Sequence, residues 1–207
     1  MDLFFAPMSC SLATRIALYE SGQDADFHRV ALADKTVEDG RDYWTINPKG
    51  QVPALITDDG IVITEGPAVL QYVADRAPET RLAPAAGTTA RYELQTWLNY
   101  ISSEIHKYIY FTIFNPESPE EARRYAREVA APKRYEFLAR HLAGRDFLVG
   151  EDFTVADAYL TVTLNWAQPG GIDLSRWPAL TDYHRRMAAR PAVARAISEE
   201  AKLREAS

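Results

Sequence analysis

The feature that most constrains this chain is a change of periodicity near residue 85. Up to Thr80, short apolar runs alternate with amphipathic ones, whereas from Thr88 onward every apolar pattern repeats at three and four. A chain that changes period once has to build two cores. The stretch Arg81-Leu82-Ala83-Pro84-Ala85-Ala86-Gly87-Thr88 carries the Pro, Gly and small residues of a linker. Charge changes at the same place, with 13 acids against 7 bases in residues 1–86 and 16 of each afterwards. For 207 residues this sets the expectation of two domains, 1–80 and 88–207.

The first domain reads β-α-β-α-β-β-α. Asp2–Phe5 is a short apolar strand stopped by Pro7, and Ser11–Ser21 is a helix closed by Gly22. Phe27–Leu32 reads as a strand and Gly40–Ile46 as a short helix. Pro53–Thr57 and Ile61–Thr64 flank Asp58-Asp59-Gly60, which spells a hairpin. A helix then opens at Glu65 or Gly66 and ends before Pro78. This order implies a small mixed sheet covered by helices.

The second domain reads as helices alone. Leu94, Trp97, Leu98, Ile101, Ile105 and Ile109 mark one long helix, and Pro119–Leu142 another that Pro132 breaks or kinks. Phe153-Thr154-Val155-Ala156-Asp157 opens a third, with Thr154 as N-cap and Asp157 in the capping-box position. Two shorter helices split at Pro191 finish an all-α bundle.

Composition excludes several classes of function. The net charge of −6 argues against a nucleic-acid binder, and no run approaches the ~20 apolar residues of a membrane helix. The one cysteine, Cys10, can make neither an internal disulfide nor a cysteine-cluster metal site. Asp2 and Pro7 do not fit a secretory signal, so a reduced, cytoplasmic protein without a metal is expected.

Chemistry concentrates at a few positions. Cys10 stands between a strand and a helix, one position before the helix, where N–H groups and the dipole favour a thiolate. Pro53 enters a strand after Asn47-Pro48-Lys49-Gly50-Gln51-Val52. A Cys at a helix start and a strand-entry Pro in this element order suggest a thioredoxin-like fold with a cis proline. Such a proline leaves the Val52 backbone available to a peptide-like ligand. Cys-Ser-Leu-Ala replaces Cys-x-x-Cys, so any disulfide chemistry must borrow its second sulfur from a small thiol. Glu65 could hold an ammonium and the Gly66 N–H a carboxylate. Lys35 and Lys49 are the only lysines of the acidic domain. In the long helix Asn99, Ser103, His106 and Tyr110, spaced four, three and four, share one polar face on α-helical geometry.

Over essentially its whole length the chain resembles a glutathione S-transferase of the bacterial beta class. The resemblance rests on Pro7-Met8-Ser9-Cys10-Ser11-Leu12, on Asn47 through Leu55 and on Thr64-Glu65-Gly66-Pro67-Ala68. It continues in Trp97-Leu98-Asn99, Ser103-Glu104-Ile105-His106-Lys107 and Phe153 through Tyr159. It implies a thioredoxin-like α/β N-terminal domain, an all-α C-terminal domain carrying the electrophile site, and a homodimer. It implies glutathione as co-substrate, with Cys10 and His106 catalytic. Glutathione contacts carry over to Cys10, Lys35, Val52, Pro53, Glu65, Gly66, Asn99, Ser103, Glu104, His106 and Lys107, some of them reaching the neighbouring subunit's site. In this class the Cys is thought to form a mixed disulfide with glutathione.

Phe5 stands where other classes place a Tyr. Met8-Ser9 replaces a common Gly-Ala, and Tyr108-Ile109-Tyr110-Phe111-Thr112 replaces a Gly followed by Ser-Pro. These changes add bulk where a small hydrophobic electrophile is expected, beside Met8, Tyr108 and Trp166. Conjugation of glutathione to such electrophiles is the expected activity, in a cytoplasmic protein that binds neither nucleic acid nor membrane. A glutathione-dependent disulfide reductase and a non-catalytic glutathione-binding protein are the alternatives.

Overall fold

The computed structural model describes residues 1–205. The described residues form two compact units, one of Met1–Ala83 with residues 190–205, the other of Pro84–Ala189.

In the first unit β1 (Asp2–Phe5), α1 (Leu12–Ser21) and β2 (Asp26–Ala31) make a crossover, the connection that parallel strands require. β1 and β2 are parallel, with Leu3 opposite Phe27. With β3 (Thr36–Val37), β4 (Ala54–Ile56) and β5 (Val62–Thr64) the sheet has the order β3-β2-β1-β4-β5, and every other pairing is antiparallel. Gly60, at φ +83°, turns the β4–β5 hairpin and donates its N–H to Thr57. α2 (Gly66–Arg76) follows and packs on α1. Successive β1 side chains take opposite faces. Phe4 joins Val30, Val37, Tyr43, Val52 and Ala54 on one face; Phe5 turns to the other, where Arg15 of α1 lies 4.4 Å over its ring.

Two local expectations change. β3 is only two residues long, too short to leave a pattern. The chain reverses just after it, closed by Val37 N–H to Arg41 O and an antiparallel Thr36–Asp42 bridge, with Gly40 at φ +89° in the turn. That leaves room before Asn47-Pro48 for one 3₁₀ turn, Tyr43–Thr45, capped by Asp42, where a helix over 40–46 is expected. The last helix, α9 (Pro191–Glu205), groups with this unit and packs against α1. Periodicity marks it as a helix but does not reveal what it covers.

In the second unit α3 (Thr89–Tyr100), a π-helical stretch at Ile101–Phe111 and α4 (Thr112–Phe114) run on without a break. So do α5 (Glu120–Tyr125), a π turn at Ala126–Ala130 and α6 (Ala131–Leu142). The second π turn explains why Pro132 does not break its helix. Proline lacks an N–H and crowds the carbonyl four residues back, and the wider turn just before it makes room. α7 (Val155–Asn165) is buried from Val155 to Leu164. A helix apolar all round belongs inside a bundle, and its polar groups must be satisfied locally. Thr161 donates its hydroxyl to Asp157 O at 2.7 Å and Thr163 to Leu160 O at 2.8 Å. Thr154 and Asp157 form the capping box. α8 (Pro178–Ala188) adds Tyr183, whose hydroxyl donates to Asp157 Oδ1 at 2.8 Å. None of the described helices is long and apolar enough to cross a membrane.

Candidate active site

The loop between β1 and α1 is built by its hydroxyls. Ser11 is fully buried; its Oγ donates to Ala6 O, accepts the Ala6 N–H and lies 2.8 Å from Ser9 Oγ. Ser11 is the N-cap residue of α1, yet its side chain is spent on the loop and not on the helix. Helix therefore starts at Leu12, and Cys10 lies two residues ahead of it, one further than the sequence suggests. The Cys10 carbonyl accepts the Ala13 N–H, and the Cys10 thiol donates to Val52 O at 3.1 Å. The Val52–Pro53 peptide is cis. Cys10, Val52 and Pro53 thus meet in one place.

The loop is also held from the C-terminal end of the chain. Met8, at φ +61°, donates its N–H to Glu200 Oε2 of α9 at 2.7 Å. Glu200 is fully buried and its Oε1 lies 3.0 Å from Arg15 Nε. The Arg15 guanidinium sits between the Phe5 and Phe27 rings, at 4.4 and 4.0 Å. Burial pushes the Glu200 carboxyl up to about 7, against the Met8 N–H and Arg15, which both favour the anion.

Glu65 joins β5 to α2 at φ +68°, and its carboxylate lies 2.5 Å from Lys49 Nζ. Both groups are exposed, so the pair contributes no more than about 1 kcal/mol. A Cβ built on Gly66 would meet nothing within 4 Å, which leaves open space at the start of α2. Lys35 has its ammonium 6.0 Å over the Trp44 ring.

The second unit divides the residues that the sequence put on one stripe. Asn99 and Ser103 are exposed and bond back to their own helix, Asn99 Nδ2 to Gln95 O and Ser103 Oγ to Asn99 O. His106 is half-buried and Tyr110 fully buried, hydrogen-bonded to Tyr135. The π stretch is the reason: each residue advances less around a wider turn, so Ser103 and His106 no longer superpose. Glu104 is bound by Arg134 through Nε at 3.0 Å and Nη2 at 2.5 Å, and the same guanidinium lies 4.3 Å over the Tyr108 ring. Lys107 has its ammonium 5.3 Å over Phe111. Tyr108 borders a groove of about 480 Å³ with Thr112, Pro119, Glu121 and Tyr125. Trp166 is not part of that lining; it packs against His106 at 5.1 Å and Tyr110 at 5.4 Å between ring centroids.

His106 is held by Tyr159, whose hydroxyl lies 2.7 Å from Nδ1. Burial, with Lys107 adjacent, pulls the imidazole down to about 4. At that value the ring is neutral at physiological pH and offers hydrogen bonding, not positive charge. An NMR titration is expected to show no ionisation of His106 between pH 5.5 and 8.

Tyr159, Glu200 and Arg134 stand beside the candidate residues without having been singled out by sequence. Tyr159 lies within a matched motif but carries no signal of its own, and the other two find their partners only in the fold. Among the described residues no group of three or more His, Cys, Asp and Glu could hold a metal ion.

Comparison with known proteins shows the family of the chain. The glutathione S-transferase N-terminal domain family matches residues 7–76 and the glutathione S-transferase C-terminal domain family residues 101–191. Glutathione S-transferase GstA of Escherichia coli O157:H7 is 41% identical over 200 residues, covering 97% of this chain and 98% of that protein. A sphingomonad glutathione S-transferase solved in complex with glutathione is 44% identical with a TM-score of 0.93, over 97% of this chain and 99% of that one. A bacterial beta class glutathione S-transferase from Sphingomonas chungbukensis is 43% identical with a TM-score of 0.93, over 97% and 98%. The chain belongs to the glutathione S-transferase family, in the neighbourhood of its bacterial beta class.

Proposed function

We propose that this protein binds glutathione through its thioredoxin-like unit, transfers the glutathione thiolate to small hydrophobic electrophiles, and exchanges thiols at Cys10. The observation that carries the reading is the Cys10 thiol 3.1 Å from the Val52 carbonyl, on the residue that precedes the cis Pro53. That carbonyl is an acceptor for a peptide N–H. A tripeptide pairing with Val52 takes the acceptor over, and the Cys10 sulfur is released beside the ligand's own sulfur. Lys35 and the Gly66 N–H offer positive charge to the ligand's carboxylates. Glu65 exchanges the Lys49 ammonium for that of the ligand, a swap made cheap by the exposure of the ion pair. Orientation and stabilisation of a thiolate are the physical terms that such a site supplies.

Thiol exchange is written without an outside oxidant. The Cys10 thiolate attacks one sulfur of oxidised glutathione; the Cys10–glutathione disulfide forms, the old disulfide breaks, and one glutathione thiolate leaves. A second glutathione reverses the step and regenerates Cys10. A single cysteine within reach of the ligand-pairing carbonyl supports this disulfide-exchange reading beside conjugation. Cys10→Ala separates the two. Cys10 is assigned to both activities if both fall at least tenfold, and to exchange alone if conjugation stays within twofold of wild type.

The second unit's part in our reading rests on the family resemblance. Asn99, Ser103, Glu104, His106 and Lys107 are assigned to glutathione, some to that of a second protomer, in a homodimer working in the cytoplasm. Tyr108, Trp166 and Met8 are assigned to the electrophile. The exposure of Asn99 and Ser103 suits residues whose partner is another molecule. Sedimentation at micromolar concentration tests the dimer.

A further inference from the structure

Tyr159 is a residue of the buried helix α7, 2% exposed, that directs its hydroxyl at one edge of His106. The 2.7 Å contact joins a phenol to an imidazole nitrogen, and the two partners differ in donor strength. A phenol is the better acid and an imidazole nitrogen the better base, so the hydroxyl donates and Nδ1 accepts. A neutral imidazole whose Nδ1 accepts carries its proton on Nε2. The ring is fixed besides by an edge-on contact with Tyr159 and by Trp166, 5.1 Å away between centroids.

We propose that Tyr159 is a positioning residue of the active site, which locks His106 in the Nε2–H tautomer and makes it a hydrogen-bond donor to an anionic group of the bound thiol substrate. This rests on our reading that His106 serves glutathione. The neutral ring, held so by burial beside Lys107, gives a donor whose action does not switch with pH near neutrality. Tyr159 touches no substrate in this scheme; it acts through His106.

Tyr159→Phe keeps the ring and removes the donor. With 15N-labelled histidine, wild type is expected to show the His106 Nδ1 as an acceptor-type nitrogen and Nε2 as protonated. In Tyr159→Phe the two resonances are expected to move toward each other as the tautomers mix. kcat/KM for glutathione is expected to fall about fivefold to tenfold in Tyr159→Phe, but less than twofold when the same change is made in His106→Ala. Thermal unfolding, read in parallel, is expected to shift less in His106→Ala, where the hydrogen bond is already gone, so the nitrogen spectrum is the readout that separates positioning from stability. An unchanged nitrogen spectrum, or an equal loss of kcat/KM in both backgrounds, overturns the proposal. Wild-type His106 resonances that do not move when glutathione is added overturn its premise instead, and that result is distinguishable because it needs no variant.

Discussion

Asp157→Ala is expected to destabilise the all-α unit by about 3–5 kcal/mol, the loss that follows when several buried donors lose one acceptor. Asp157 is fully buried. Oδ1 accepts the Leu148 N–H at 2.9 Å and the Tyr183 hydroxyl at 2.8 Å, while Oδ2 accepts the Thr154 N–H and hydroxyl, both at 2.8 Å. One carboxylate thus ties the start of α7 to the preceding loop and to α8. Alanine leaves the Leu148 and Thr154 amides and the Tyr183 hydroxyl without an acceptor, in a place water does not reach, and removes the capping box, worth about 1 kcal/mol by itself. At about 2–4 °C per kcal/mol for a protein of this size, Tm is expected to fall by about 6–20 °C. Asp157→Asn keeps the shape and one acceptor oxygen, and is expected to fall between wild type and alanine. Differential scanning calorimetry of the three proteins checks the order.

The second large effect is at Glu200, and it depends on pH. The carboxyl is raised from the usual 4.5 to about 7, burial being the main cause. A folded-state value above the unfolded one means that the native protein prefers the protonated acid. The stabilisation from that preference is fully present below about pH 4.5 and is lost as pH rises to about 7, amounting to about 3 kcal/mol across that window. The groups facing Glu200 are Arg15, Glu199 beside it and the Met8 amide; Glu199 is engaged in turn by Tyr19 and Arg195. Glu200→Gln is expected to flatten the dependence of Tm on pH between 5 and 7.5, since it removes the titrating group and keeps an acceptor for Met8. Glu200→Ala is expected to cost about 1–3 kcal/mol at neutral pH, because the Met8 amide loses its acceptor and the buried Arg15 guanidinium keeps only the partly exposed Glu199. Thermal scans of the three proteins from pH 5 to 8 test this. A Glu200→Gln protein that keeps the wild-type slope assigns the titration to another group.

These two carboxylates show what the sequence could and could not reveal. Asp157 is legible because its work is local: Thr154 and Asp157 stand three apart before an apolar run, and a capping box needs nothing else. Glu200 is illegible because its partner Met8 is 192 residues away, and its helix carries an ordinary amphipathic pattern that does not say which unit it covers. The strand-turn-helix frame of the first unit follows from Gly22, Asp59-Gly60, Pro7 and Pro53, residues whose backbone preferences act where they stand. The Cys10–Val52–Pro53 juxtaposition follows once that frame is drawn. The polar stripe of the long helix was assembled on a regular α-helical turn, and the π stretch at Ile101–Phe111 turns His106 and Tyr110 inward while Asn99 and Ser103 stay outside. The tie between Tyr159 and His106, 53 residues apart, appears only when two helices pack.

The central claim, that the sulfur beside the Val52 carbonyl is where glutathione is engaged, is tested most directly by intact-mass measurement after incubation with oxidised glutathione. Wild type is expected to gain one glutathionyl group per chain, removed by excess reduced glutathione, while Cys10→Ala gains none. An unmodified wild-type protein, in a preparation that turns over an electrophile, would contradict the account.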